Sequence, residues 1–113
     1  RALNRKAIIE TIKQSKDWNN QFTFFEPIKG LEPSWFGFPL LINQKLAGKK
    51  KIFLNYLKKN KIESRPIISG NFTKQECIKN HNYKTAGKYV GADKIEKLGF
   101  FIGLPTKKIN RLH

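Results

Sequence analysis

Ile62-Glu63-Ser64-Arg65-Pro66-Ile67-Ile68-Ser69-Gly70-Asn71-Phe72 sets one arginine inside an apolar, β-branched run and closes it with a Gly-Asn turn. The two-residue period of a strand puts Ile62, Ser64, Pro66 and Ile68 on one side and Glu63, Arg65 and Ile67 on the other, predicting a half-buried strand over 62–69. A guanidinium in such a strand needs a carboxylate, a phosphate or several carbonyls to offset its desolvation. Upstream, Ser34-Trp35-Phe36-Gly37-Phe38-Pro39 opens a second strand, 35–42, so apolar that it should be covered on both faces. Its glycine allows close backbone approach, and its proline should forbid a central ladder position. These two strands are expected to meet.

Around them the periods change. Leu3, Ala7, Ile8 and Ile12 recur at helical spacing through residue 15, and Phe22-Thr23-Phe24-Phe25 is a short β-rich piece. Leu46, Phe53, Leu54 and Leu57 line one face of a helix over 45–59, with Lys49, Lys50 and Lys51 in water and Asn60 as a left-handed cap. Thr73-x-x-Glu76 and the run Asp93-Lys94-Ile95-Glu96 read as capping signatures that start two further helices. Tyr83 and Tyr89 should anchor the polar stretch 80–90, and Phe100-Phe101-Ile102-Gly103-Leu104-Pro105 is a last strand after Gly99. Helices interleaved with strands in this order predict an α+β fold, helices packed on a small mixed or antiparallel sheet.

The totals bound the answer. With 113 residues the chain has room for one core, and 39% hydrophobic residues with nine Phe, two Trp and three Tyr make it a folded domain. Arg1 opens a sequence without methionine, so 1–113 is expected to be a single domain excised from a longer protein. Cys77 is alone, which excludes an intrachain disulfide and suits a reducing, cytoplasmic setting. No apolar run approaches the ~20 residues that cross a bilayer, so no membrane partner is expected. The net charge of +15, from 23 Lys and Arg against 8 Asp and Glu, favours anionic partners, although lysine spread along a whole chain also simply solvates a surface.

Arg65 is the first candidate for chemistry, as a bidentate holder of a carboxylate or phosphate; an ion pair with Glu63 or Glu26 explains it equally well from the residues alone. Trp35, Phe36 and Phe38 could stack a base or sugar, though core packing is the commoner role. His81 could serve as an acid or base, but nothing nearby completes a dyad or metal set, since the other histidine is His113 and Cys77 stands four residues away. Metal-ligand spacing, a phosphate-cradling glycine loop and a nucleophile elbow are absent from the sequence.

Ser34-Trp35-Phe36-Gly37-Phe38-Pro39, the lysine-rich helix, the 62–72 segment and Gly99-Phe100-Phe101-Ile102-Gly103 together resemble the C-terminal domain of the DegT/StrS family of pyridoxal-phosphate-dependent nucleotide-sugar enzymes. The likeness covers nearly the whole chain and even the opening Arg1-x-x-Asn4 helix, and within the family it leans toward the sugar 3-dehydratases rather than the aminotransferases. It implies the small C-terminal domain of a fold-type I enzyme of surface-polysaccharide or deoxysugar biosynthesis, inactive alone, with pyridoxal phosphate and its Schiff-base position in a large domain outside this chain. It further implies a nucleotide-sugar substrate, glutamate as amino donor and a homodimer. Arg65 would touch an anionic group, with Ser69 and Asn71 as hydrogen-bonding neighbours and Trp35 and His81 nearby. The rival from another class is a basic nucleic-acid-binding module, which should interleave aromatics with lysines along one stripe; here the aromatics cluster in strands that carry few lysines.

Overall fold

A computed structural model describes residues 1–110. Helix α1 (Ala2–Gln14) leads to strands β1 (Phe22–Phe24) and β2 (Gly37–Ile42), then helix α2 (Lys50–Lys59), the two-residue strand β3 (Ser64–Arg65), helix α3 (Val90–Leu98) and strand β4 (Gly99–Gly103). The four strands form one antiparallel sheet in the order β1-β2-β4-β3, so the α+β expectation holds and the sheet is antiparallel throughout.

Phe38, Leu40 and Phe100 lie on the covered face of the central pair and join Ile9 and Leu57 from the helices, with Phe38 and Phe100 at 0% and 1% exposure. Burying each of those rings stabilises the fold by about 1.5–3 kcal/mol. Leu41 and Ile42 extend the core toward Leu98 of α3. The chain passes from α3 into β4 with no loop, and Gly99 is what permits it. A Cβ there would stand 2.4 Å from the Ile95 carbonyl oxygen and 2.9 Å from Ile67 Cδ1.

The long strand over 62–69 is replaced by a short one. Only Ser64 and Arg65 pair with β4, opposite Ile102 and Phe101. Pro66 has no N–H to continue the ladder, and the chain turns at 67–70, where the Gly70 N–H donates to the Ile67 carbonyl at 3.1 Å. The expected meeting of β2 and β3 is corrected as well, because β4 lies between them. Pro39 does sit in a central strand; β1 pairs only with Leu40 to Ile42, so at Pro39 the ladder runs on one side.

Several helix signals are spent differently. The predicted helix over 45–59 divides into a 3-10 turn, Gln44–Lys49, and α2, with Asn43 capping the former by accepting from the Lys45 N–H at 3.0 Å. Asn60 is not left-handed (φ −89°); Lys61 takes that conformation at φ 59°. Asn71, not Thr73, caps the turn Phe72–Lys74 that replaces the first predicted helix start, and Glu76 pairs with Lys79 at 2.7 Å in the next turn, Glu76–Asn80. Helix α3 begins at Val90, three residues before the predicted Asp93 signature. Tyr83 and Tyr89 do not anchor 80–90, a stretch exposed throughout; the Tyr89 hydroxyl only accepts from the Ala86 N–H at 3.0 Å.

Helix α1 buries an unforeseen pair. Leu3, expected on the dry face, is 77% exposed, whereas Asn4 and Arg5 are buried. Asn4 donates to the Pro105 and Lys107 carbonyls at 2.8 and 2.7 Å and accepts from the Ile109 N–H at 3.0 Å, which ties the chain's two ends together. The Arg5 guanidinium lies 4.2 Å above the Trp35 ring, donates to the Phe25 carbonyl and stands 3.8 Å from Glu26.

Replacing Gly99 with alanine should cost about 1–3 kcal/mol, the range for forcing extra volume into a packed site, because the obstructing atom is a backbone carbonyl that cannot rotate away. Chemical denaturation of Gly99→Ala against the parent measures it; an unchanged midpoint would refute the close α3–β4 passage.

Candidate functional site

Residues directly opposite in an antiparallel ladder share a face. Pro39 opposes Phe101 and Phe101 opposes Arg65, so proline, phenylalanine and arginine form a row across three strands on the face opposite Phe38 and Phe100. One step along, Gly37 opposes Gly103, and the sheet there carries no side chains. A Cβ on Gly37 would come within 2.7 Å of the Phe101 ring, so the glycine's close approach, expected from the sequence, is what seats that ring. Phe36, 78% exposed, packs its ring against Phe101 at 6.0 Å and 61°.

Two concavities share the Phe36–Phe101 wall. One, of about 450 Å³, is lined further by Lys61, Ile62, Glu63 and Arg65. The other, of about 220 Å³, is bounded by Trp35, Pro39, Ile67 and Ile68. Arg65 is not half-buried as expected: its side chain is 66% exposed, and it donates from Nε to Glu63 Oε1 at 2.8 Å. An ion pair so open to water is worth about 0–1 kcal/mol, so Glu63 holds the guanidinium in place without committing it strongly.

The other expected residues separate. Trp35 is a half-buried wall between the core, Arg5 and the smaller concavity. Ser69 gives its carbonyl to Gln75 Nε2 at 2.8 Å and lies in the turn that borders Ile67 and Ile68. Asn71 is 4% exposed and fully engaged, donating to Asp93 Oδ1 at 2.9 Å and accepting from the Thr73 N–H and hydroxyl at 3.1 and 2.7 Å. His81 follows the Glu76–Asn80 turn on the exposed stretch, its backbone N–H bonded to Ile78. Arg65 and Trp35 thus border concavities that share one aromatic wall, while Asn71 fastens the neighbouring turn.

That fastening was missed in the sequence. Lys74 Nζ lies 2.6 Å from Asp93 Oδ1 and 3.0 Å from Glu96 Oε2, clamping the segment after β3 onto α3. The Lys74 hydrogen bond, then that of Asn71, holds the Asp93 carboxyl below its ordinary value, and Asp93 and Glu96 hold the Lys74 ammonium above its own. The clamp holds a strained turn: Ile68 sits at φ 48°, a left-handed conformation costly for a β-branched residue. Of the three aromatics that could stack a base or sugar, Phe38 is core, Trp35 is half-buried and Phe36 alone is exposed. Lys61, like the clamp, escaped notice, and nothing in the sequence marked it as a site residue.

No group of acidic, histidine or cysteine side chains suited to a metal occurs among the described residues, nor any helix long and apolar enough to cross a membrane.

No protein-family model matches the chain. It is 38% identical over 73 residues to GDP-4-keto-6-deoxy-D-mannose 3-dehydratase of Yersinia pseudotuberculosis, which covers 64% of this chain and 19% of that protein. It is 29% identical over 101 residues to lipopolysaccharide biosynthesis protein RfbH of Salmonella typhimurium, 88% of this chain and 23% of that one. The E. coli GDP-4-keto-6-deoxy-D-mannose-3-dehydratase with bound hydrated PLP matches with a TM-score of 0.69 at 26% identity, over 89% of this chain and 26% of that chain. In sequence and fold the chain is related to one part of the PLP-dependent sugar-nucleotide 3-dehydratases, and it spans about a fifth of the length of the curated relatives it matches. GDP-4-keto-6-deoxymannose 3-dehydratase is the relative that recurs in both sequence and structure.

A depressed Asp93 means that its link to Lys74 and Asn71 stabilises the fold above the ordinary aspartate range and is lost as pH falls through the depressed value. The elevated Lys74 contributes below the ordinary lysine range and is lost as pH rises through its raised value. Amide protection at Gly70 and Thr73, corrected for intrinsic exchange, should therefore drop at the acid end, and Asp93→Asn should flatten that dependence; protection independent of pH in the parent would contradict the clamp.

Proposed function

We propose that this chain is the small, C-terminal domain of a PLP-dependent enzyme of the DegT/StrS family, a GDP-sugar 3-dehydratase of lipopolysaccharide or deoxysugar biosynthesis, and that it closes over the sugar nucleotide. The observation that carries the reading is the Pro39–Phe101–Arg65 row, a half-buried aromatic beside an exposed cation at a concavity, in a fold related to such enzymes. A solved relative with bound GDP-perosamine and another with a trapped PLP-glutamate geminal diamine support a GDP-sugar as substrate and glutamate as amino donor. These relatives favour an enzyme domain over a basic nucleic-acid-binding module. Cytoplasmic location and a homodimer belong to the same reading.

The described residues do not fit the cofactor itself. Lys50 is the lysine that burial pushes below its ordinary value, partly countered by Glu96, yet its ammonium donates to the Glu96 and Lys97 carbonyls at 3.3 and 3.2 Å and so caps the end of α3. Pyridoxal phosphate would be held by the rest of the protein, and this chain's part is to bind and orient the anionic end of the substrate and to exclude water. Arg65 suits that part: its fork can exchange the exposed Glu63 carboxylate for a phosphate or carboxylate with little loss.

In the full-length protein, Arg65→Ala should weaken GDP-sugar binding by about 1.5 kcal/mol, roughly tenfold. Glu63→Gln should tighten it, because the competing carboxylate is gone. Isothermal titration checks both, and affinity unchanged by Arg65→Ala would defeat the proposal.

A further inference from the structure

Ile68 is 89% exposed and left-handed at φ 48°. Glycine or asparagine would hold that conformation with less strain, and so exposed an isoleucine recovers little by packing within the chain. Strain that the surroundings over-determine is a mark of a working site. Here the β3–β4 ladder holds the chain before the turn, and the Asn71–Asp93–Lys74 clamp with the Gln75 bond to the Ser69 carbonyl fixes it after.

What Ile68 borders is the smaller concavity, whose walls are Trp35, Phe36, Pro39, Ile67, Ile68 and Phe101. Every one of those side chains is apolar or aromatic. Across the Phe36–Phe101 wall lies the larger concavity, where Lys61 and Arg65 outnumber the single acid Glu63. Lys61 is also left-handed, at φ 59°, at the sharp exit from α2. An apolar, aromatic-sided recess that adjoins a cationic one selects a ligand with a flat ring at one end and negative charge a short distance away.

We infer that the two recesses form one bipartite site for a nucleoside diphosphate, the base against Phe36 in the recess bordered by Trp35 and Ile68, the diphosphate at Lys61 and Arg65. The inference rests on the proposed sugar-nucleotide reading and deepens it by assigning the base to Phe36 and Ile68. Phe36 and Ile68 would be ligand-contacting residues, and the clamp a set of positioning residues.

The test is titration of the full-length protein and its variants with GDP, with guanosine and with inorganic pyrophosphate. GDP should bind at least tenfold tighter than either half. Phe36→Ala and Ile68→Gly should each weaken GDP about five- to tenfold while leaving pyrophosphate unchanged, and Phe36→Tyr should restore the parent affinity. Ile68→Gly should also raise the thermal midpoint, since it relieves strain, a combination that a purely structural role for Ile68 would not give. If neither variant affects GDP while Arg65→Ala still does, this inference fails and the broader reading stands. If Arg65→Ala is silent too, both fail. Equal losses for GDP and pyrophosphate in Phe36→Ala would overturn the placement of the base.

Discussion

The register of β4 is the constraint on which the molecule depends. This strand enters straight from α3, lies between β2 and β3, and by pairing with both decides what stands beside what. One of its faces delivers Phe100 to the core against Phe22 and Phe53; the other delivers Phe101 between Pro39 and Arg65. A slip of one residue would exchange Phe100 with Phe101, expose the core ring and remove the wall shared by both recesses. Core and site therefore cannot be altered independently. Gly37 and Gly99 protect this register from either end, since each stands where a Cβ would collide with Phe101 or with the Ile95 carbonyl.

Around the sheet, polar side chains do the joining that a small core cannot. A domain of this size buries a modest share of its surface, so each loop needs its own fastening. Asn4 joins α1 to the segment after β4, Arg5 joins it to the carbonyl of Phe25 and the face of Trp35, and Lys74 with Asn71 joins the turn after β3 to α3. The Arg5 stack serves a second end. It packs against the Trp35 ring, which also borders the smaller recess, so that wall is held by a cation–π contact worth about 2 kcal/mol when desolvated.

The fold class was legible because hydrophobic period speaks for whole elements. Helix α1, the deep strand β2, the face of α2 formed by Phe53, Leu54 and Leu57, and strand β4 all lie where their patterns place them. Connections were not, because a short polar motif can be satisfied in several ways. Thr73-x-x-Glu76 and Asp93-x-x-Glu96 contain the residues of a capping box, yet the tertiary position of Lys74 claims Asp93 and Glu96, and Asn71 outcompetes Thr73 for the cap. At the site the same distinction holds. Arg65 was visible as an anomaly in an apolar run, but whether it was buried depended on the ladder ending at Pro66, and Lys61, just past the expected cap, carried no signal because the left-handed turn was assigned to Asn60.

Charge gains meaning only through this geometry. Of the 8 acidic residues, Glu26, Glu63, Glu76, Asp93 and Glu96 lie in ion pairs, four of them where a turn or helix needs fastening. Most of the excess positive charge is left as a diffuse field, which attracts any anion and distinguishes none. Discrimination requires that a cation be fixed beside a surface of another kind. At Lys61 and Arg65 it is, because the bare Gly37–Gly103 pair leaves room on the sheet and Phe101 lies directly across the ladder from the guanidinium. The exposed Glu63 holds the Arg65 guanidinium beside that recess through an ion pair so open to water that it constrains the cation only weakly.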